Sequence, residues 1–190
     1  MVANLAYRLL SFEDYLTYDD HTDNRYELVD GVLFAMTPPL ISHFDIAKFI
    51  ERCFDQEIQR LHLPWRCYRE AGLRVGVRKS RIMDICVIEK EYVDALRASG
   101  SVAVFENPPQ LVVEIVSPES VQRDYRHKRS EYAAVEVPEY WIVDPLTHKI
   151  SVLSLEEGLY EVQEFTGAQP IASRIFPELE WTAAQILRAD

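Results

Sequence analysis

Residues 81–88, RIMDICVI, and residues 110–117, QLVVEIVS, are short runs of aliphatic and β-branched residues, the composition of buried strands. Side chains alternate between the two faces of a strand. Asp84 therefore falls in line with Ile82, Cys86 and Ile88, and Glu114 with Val112 and Val116. Each run carries a lone acid in an apolar row. An ionised carboxylate buried without a partner costs several kcal/mol, so two such acids demand a shared cation, a salt bridge or a raised pKa. A divalent ion between them is one economical answer. Ordinary salt bridges, or acids that merely sit at strand ends, are the other.

Working outward, residues 139–144, EYWIVD, read as a further strand, and the polar stretch 121–135 before it reads as a helix with Val121, Tyr125 and Tyr132 on one side. Strand, helix, strand implies a parallel pair joined by a crossover. Upstream, residues 72–77, GLRVGV, complete the strands of a central sheet. From Asp45 to Leu61 the apolar residues Ile46, Phe49, Ile50, Cys53, Phe54, Ile58 and Leu61 recur at three- and four-residue steps, which predicts a long amphipathic helix. Asp30-Gly31 and Gly158 mark two hairpin turns. Ser11 caps a short first helix carrying Phe12, Tyr15 and Leu16 on one face, and residues 181–189, WTAAQILRA, form a short closing helix.

The 190 residues are 48% hydrophobic, 11% aromatic and 27% charged, a globular composition that fits one domain over residues 1–190. The formal net charge of -11 excludes a protein that coats nucleic acid by bulk charge. The charge is uneven, however. Residues 1–60 hold 5 basic and 11 acidic residues and 131–190 hold 3 and 11, whereas 61–90 hold 7 and 3. Arg123, Arg126, Lys128 and Arg129 add a second basic island against Asp124, and islands flanking the two acids favour a phosphate-bearing substrate. Cys53, Cys67 and Cys86 have neither disulfide nor zinc spacing and read as buried thiols in a reducing compartment. The opening residues lack an apolar leader core and no run approaches a membrane span, so the cytoplasm is the expected location.

Asp124, Lys128 and Tyr132 stand at i, i+4 and i+8 of the expected crossover helix and share a face. Two readings of the first pair stay open: a solvated ion pair worth a few tenths of a kcal/mol, or a lysine turned toward the sheet. Acid on one strand, acid on the next and lysine nearby resembles the PD-(D/E)XK nuclease superfamily. The finer segments YELVDGVLFAM, a His opening a helix, D.CVI, LVVEIVSPES, D...K...Y and VPEYWIVDP resemble its branch of small single-domain restriction endonuclease-like proteins, over roughly residues 11 to 187.

The resemblance implies an α/β (α+β) restriction-endonuclease-like core: a mixed central sheet flanked by helices, with β-hairpins. It implies Asp84 and Glu114 as the acids holding Mg2+, with Mn2+ as a substitute, and Lys128 as the lysine that orients the attacking water. Glu27, in YELVDG, is implied as an auxiliary acid of the catalytic set. His43 matches a position the family often fills with His, with helix capping or packing as the competing role. Asp124 is either a supporting acid or a simple ion-pair partner. The implied activity is endonucleolytic hydrolysis of DNA.

The sequence departs from the pattern in places. Val116 stands where the superfamily lysine usually follows the second acid, so Lys128 must reach in from the helix. Met83 replaces the usual Pro, and Ser117-Pro118-Glu119-Ser120 places an extra acid near the phosphate site. The rival reading is a binding or assembly module that keeps the fold without the activity, and metal binding separates the two. A different hydrolase lacks support, since the chain has no Gly-x-Ser-x-Gly elbow, phosphate-binding glycine loop or His-x-x-x-His pair. Cutting both strands of a duplex is simplest with two symmetric sites, an argument for a homodimer that rests on the substrate and on no residue.

Overall fold

The computed structural model describes residues 9–189; the first eight residues, part of the stretch read for a leader, and residue 190 lie outside it. Helix α1 (Phe12–Leu16) starts on a capping box in which Ser11 and Asp14 satisfy each other's amides. Strands β1 (Tyr26–Val29) and β2 (Val32–Ala35) form the first hairpin, turning through Asp30 and Gly31 at φ 52° and 84°. Helix α2 (Ile41–Arg60) begins ahead of Asp45 and buries Ile46, Phe49, Ile50, Cys53, Phe54 and Ile58. Next come β3 (Trp65–Arg69), β4 (Gly72–Gly76), β5 (Lys79–Ile82), β6 (Ile85–Glu89), α3 (Lys90–Ser99), β7 (Val104–Phe105) and β8 (Leu111–Ile115). A π-helical turn, Arg123–Lys128, runs into α4 (Arg129–Ala134), followed by β9 (Glu139–Asp144), the hairpin β10 (Lys149–Glu156) and β11 (Leu159–Thr166), and α5 (Ala183–Arg188).

The mixed α+β class is as expected, but the strands divide into two sheets rather than one central sheet. The smaller has the order β2-β1-β5-β4-β7 and the larger β11-β10-β9-β8-β6-β3. Strands β8 and β9 are parallel, as the crossover requires, while β6 and β8 are antiparallel. RIMDICVI is not one strand. It crosses from β5 in the smaller sheet to β6 in the larger, and Asp84 stands at the corner just before β6. The two halves read as one run because both sheets bury their residues in the same core, so hydrophobicity does not mark the corner. The parity argument through Ile82 therefore fails, although the one through Cys86 and Ile88 holds.

One face of the larger sheet offers Val113, Ile115, Trp141 and Val143 to Phe49 and Phe54 of α2 and Ile186 of α5. The other face offers Cys86, Ile88, Val112 and Val116 to Leu73 and Val75 of β4, Phe105 of β7 and Tyr132 of α4. Glu114 shares this second face with its i±2 neighbours. The crossover departs from expectation at its start: Val121 is 41% exposed, and the inward residues are Asp124, Lys128 and Tyr132. Tyr125 is half-buried and its hydroxyl donates to Asp144 at 3.0 Å. The wider π turn sets this register.

Strand β3, helix α3 and strand β7 were not legible, because β3 interleaves Arg with apolar residues, α3 buries only Val93 and β7 is two residues long. Cys53 and Cys86 are buried, Cys67 is half-buried, and all three thiols are free. Among the described residues no helix is long and apolar enough to cross a membrane.

Gly31 and Gly158 both occupy positive φ, yet a Cβ on Gly31 would meet the Leu9 Cβ at 2.8 Å and the Leu10 carbonyl at 3.1 Å, while one on Gly158 meets nothing within 4 Å. Gly31→Ala is expected to lose about 2–3 kcal/mol and Gly158→Ala about 1 kcal/mol in urea unfolding. Equal losses would contradict the tight packing of the first turn.

Candidate active site

The register that pairs Ile85 with Val113 places Asp84 one step beyond, opposite Glu114, at the mouth shared by β6 and β8. Both acids line a cavity of about 430 Å³ with His43, Asp124 and Lys128, and exposed Pro38, Pro39 and Glu119 form its rim. Each acid already has partners. Asp84 accepts from the Ile115 amide at 2.7 Å and from His43 Nε2 at 3.0 Å. Glu114, 2% exposed, accepts from Lys128 Nζ at 2.7 Å through Oε2 and from the Tyr132 hydroxyl at 2.5 Å through Oε1.

Lys128 is 1% exposed, which rules out the solvated ion pair. Its ammonium donates to the Ile82 carbonyl at 3.2 Å and lies 3.6 Å from Glu27 Oε1 and 3.9 Å from Asp124 Oδ1. Glu27, delivered by β1, is held by Arg81 Nη1 at 2.9 Å and the Ile82 amide at 3.1 Å. Arg81 also grips Glu131 of α4. Three acids thus lie within 4 Å of one buried ammonium, and Asp84 adds its charge from farther off. His43 is not a helix cap: Leu40 holds that position, and the imidazole in the first turn of α2 reaches Asp84 instead. Asp124 accepts from the Ser120 hydroxyl through Oδ2, while its buried Oδ1 has no hydrogen-bond partner.

All six residues singled out in the sequence therefore meet around one cavity, Glu27 through its contacts with Lys128. Arg81 and Tyr132 join them without having been assigned a role. Arg81 was visible only as the first letter of an apolar run, and Tyr132 only as a helix-face residue. The basic island of residues 61–90 is less available than its charge implies. Arg69, Arg74, Lys79, Arg81 and Lys90 are each paired with a carboxylate.

The charges do not balance evenly. Burial, with Asp84 and Asp124 nearby, lifts Glu114 to about 8 even against Lys128. Burial likewise raises Asp124 against the pull of Lys128. For Glu27, burial is outweighed by Lys128 and Arg81, which hold it below the usual range. For Asp84, burial is outweighed by His43, Lys128 and the Ile115 amide, and its carboxyl is held low. Burial opposes the charge on His43, but its hydrogen bond and attraction to Asp84 raise it.

Among the described residues no three His, Cys, Asp or Glu side chains form a ready-made metal cage. Two carboxylates are nevertheless the usual protein share of a Mg2+ site, with water supplying the rest. Asp124 Oδ1 makes no hydrogen bond and has only the longer ion-pair contacts with Arg123 at 3.6 Å and Lys128 at 3.9 Å, and with Asp84 and Glu114 lining the same cavity the oxygen-donor chemistry fits a hard divalent cation.

The two sheets with the acid-lysine cluster between them define a restriction-endonuclease-like protein. The model of the family described as "Putative restriction endonuclease" matches residues 12–184, and the chain belongs to that family. Its fold is similar to a crystal structure described as a "putative nuclease belonging to DUF820" from Anabaena variabilis, with a TM-score of 0.78 and 17% identity over 95% of this chain and 98% of that one. No curated protein matches the chain.

The raised Glu114 gives the metal-free protein a pH dependence. Its folded pKa of about 8 exceeds the ordinary 4.5, so its neutral form stabilises the fold fully below pH 4.5, and that contribution is lost as pH rises through about 8. The raised His43 acts in the same direction above 6.5. In chelator, the melting temperature should fall between pH 5 and pH 8, and Glu114→Gln should flatten much of that fall. A wild-type curve level across this range would contradict the assignment.

Proposed function

We propose that the protein is a Mg2+-dependent endonuclease that hydrolyses phosphodiester bonds in DNA. The observation that carries this reading is the fully buried Lys128 ammonium bonded to Glu114 at the floor of a surface cavity that also holds Asp84. Asp84 and Glu114 would hold the ion, with Asp124 Oδ1 beside them. When bound, such an ion lowers the pKa of a coordinated water and neutralises charge on a nonbridging phosphate oxygen. Lys128, fixed between Glu114 and the Ile82 carbonyl, orients the attacking water and adds positive charge where the transition state becomes more negative. Glu27, itself fixed by Arg81, holds Lys128 from the smaller sheet and so positions it without touching substrate. Arg123, half-buried on the cavity wall with its Nε 3.6 Å from Asp124 Oδ1, would turn its remaining guanidinium donors to the phosphate backbone. Cleavage of a duplex would take two such sites, one from each of two copies. The free thiols fit a reducing, cytoplasmic setting.

A second reading, an inactive module on the same fold, draws on one observation: both oxygens of Glu114 and one of Asp84 are already hydrogen-bonded within the protein. Carboxylate oxygens have lone pairs to spare for a cation. Mn2+ titration of wild type and Asp84→Asn decides between them: binding that the substitution abolishes supports the nuclease, and no binding by wild type supports the module.

Lys128→Ala should lower metal-dependent cleavage by about 10²–10³-fold while Mn2+ affinity stays level or rises, because the acids remain and an ammonium no longer competes for Glu114. It should also destabilise the fold by about 3–5 kcal/mol by stranding buried carboxylates, so Lys128→Met, which keeps the stem, serves as the companion variant. An undiminished rate in both would remove Lys128 from the catalytic set.

A further inference from the structure

A second cavity, about 270 Å³, adjoins the first and shares Arg25, Glu70 and Ile82 with it. Its remaining wall is aromatic and aliphatic, with Tyr15, Tyr18 and Tyr26 on one side and Gly72 and Val104 on the other. Tyr18 and Tyr26 meet edge to face at 5.6 Å, and Tyr18 is 44% exposed, so a ring face remains available beside the opening. We propose that this cavity receives one unstacked nucleobase of the nucleic-acid substrate, next to the phosphate held at the acid-lysine cluster. The inference rests on the nuclease reading and adds a base subsite to it.

Charge selects the occupant. The basic side chain in the wall, Arg25, is bonded to Glu70 at 2.7 Å, and Asp20 lies against the Tyr26 hydroxyl. A phosphate would find no unpaired cation among the described lining residues, whereas a neutral planar ring finds tyrosine faces and the Asn24 amide for its polar edge. Position selects it too. Ile82 lines this cavity, and its carbonyl accepts the Lys128 ammonium while its amide donates to Glu27. Ile82 is thus common to both cavities, so a base leaning on it would lie beside the phosphate site. The requirement for an unstacked base favours single-stranded or locally opened DNA, since a base in a duplex presents its edges and not its faces.

The test compares a thymidine 12-mer with the same sugar-phosphate backbone lacking bases, each binding by fluorescence anisotropy to wild type, Tyr18→Ala and Tyr18→Trp. Wild type should prefer the thymidine strand. Tyr18→Ala should weaken that strand about tenfold and leave the base-free strand unchanged, and Tyr18→Trp should restore the preference. Equal losses on both strands, or no loss on either, would overturn the base subsite. Mn2+ binding and metal-dependent cleavage of the base-free strand should be the same in Tyr18→Ala and wild type. Absence of both in wild type would sink the nuclease reading instead, a failure separable from that of the subsite.

Discussion

A lysine ammonium removed from water is the constraint on which this architecture depends. Lys128 comes from the π turn, Glu114 from the larger sheet, and Glu27 and the Ile82 carbonyl from the smaller one. An isolated charge there would cost several kcal/mol, so the crossover helix and both sheets must bring their polar groups to one point for the fold to close. Arg81 repeats the arrangement one step outward, tying Glu27 of β1 to Glu131 of α4. Buried clusters of this kind seldom add net stability over a well-packed apolar core. Their presence is better explained by what the charges do than by what they hold together.

A second buried acid sharpens that argument. Glu139, at the start of β9, is as buried as Glu114, yet it accepts from Trp141 Nε1 at 2.7 Å, the Ser173 hydroxyl at 2.6 Å and the Arg174 amide at 2.6 Å. Its neighbours are neutral donors that hold the segment before α5 in place. Glu114 has other acids for neighbours and lines a cavity. Burial alone marks neither as functional. The difference lies in whether the surroundings satisfy the charge or multiply it, and only at Glu114 do they multiply it.

Much of the site was legible because strand parity and helix spacing are local properties. Glu114 between Val112 and Val116, and Asp124, Lys128 and Tyr132 at four-residue steps, needed no knowledge of distant contacts. Asp84 was picked out correctly as an anomaly, but on a strand that the structure breaks in two. The corner between β5 and β6 leaves no trace in hydropathy because the residues on both sides of it are buried. The partners that decide protonation were not legible: His43 lies 41 positions from Asp84, and Arg81 54 from Glu27. Such pairings depend on how the sheets pack, and a linear pattern does not encode them. The charge islands misled in part for the same reason, since most basic residues of 61–90 found acidic partners only in the folded chain.

A protein of net charge -11 has little free positive charge with which to hold a polyanion. Nonspecific affinity for nucleic acid grows with the number of phosphates neutralised by free Lys and Arg. Here Arg69, Arg74, Lys79 and Lys90 are engaged with carboxylates, and the rim of the cavity carries Glu119. Long-range attraction is therefore weak, and binding must draw on contacts made inside the cavity. A cation between Asp84 and Glu114 would turn an acid-lined cavity into a place that accepts a phosphate. An acidic protein could in this way be selective: without the ion its acids would repel the backbone, and with the ion it would engage a single phosphate beside Lys128.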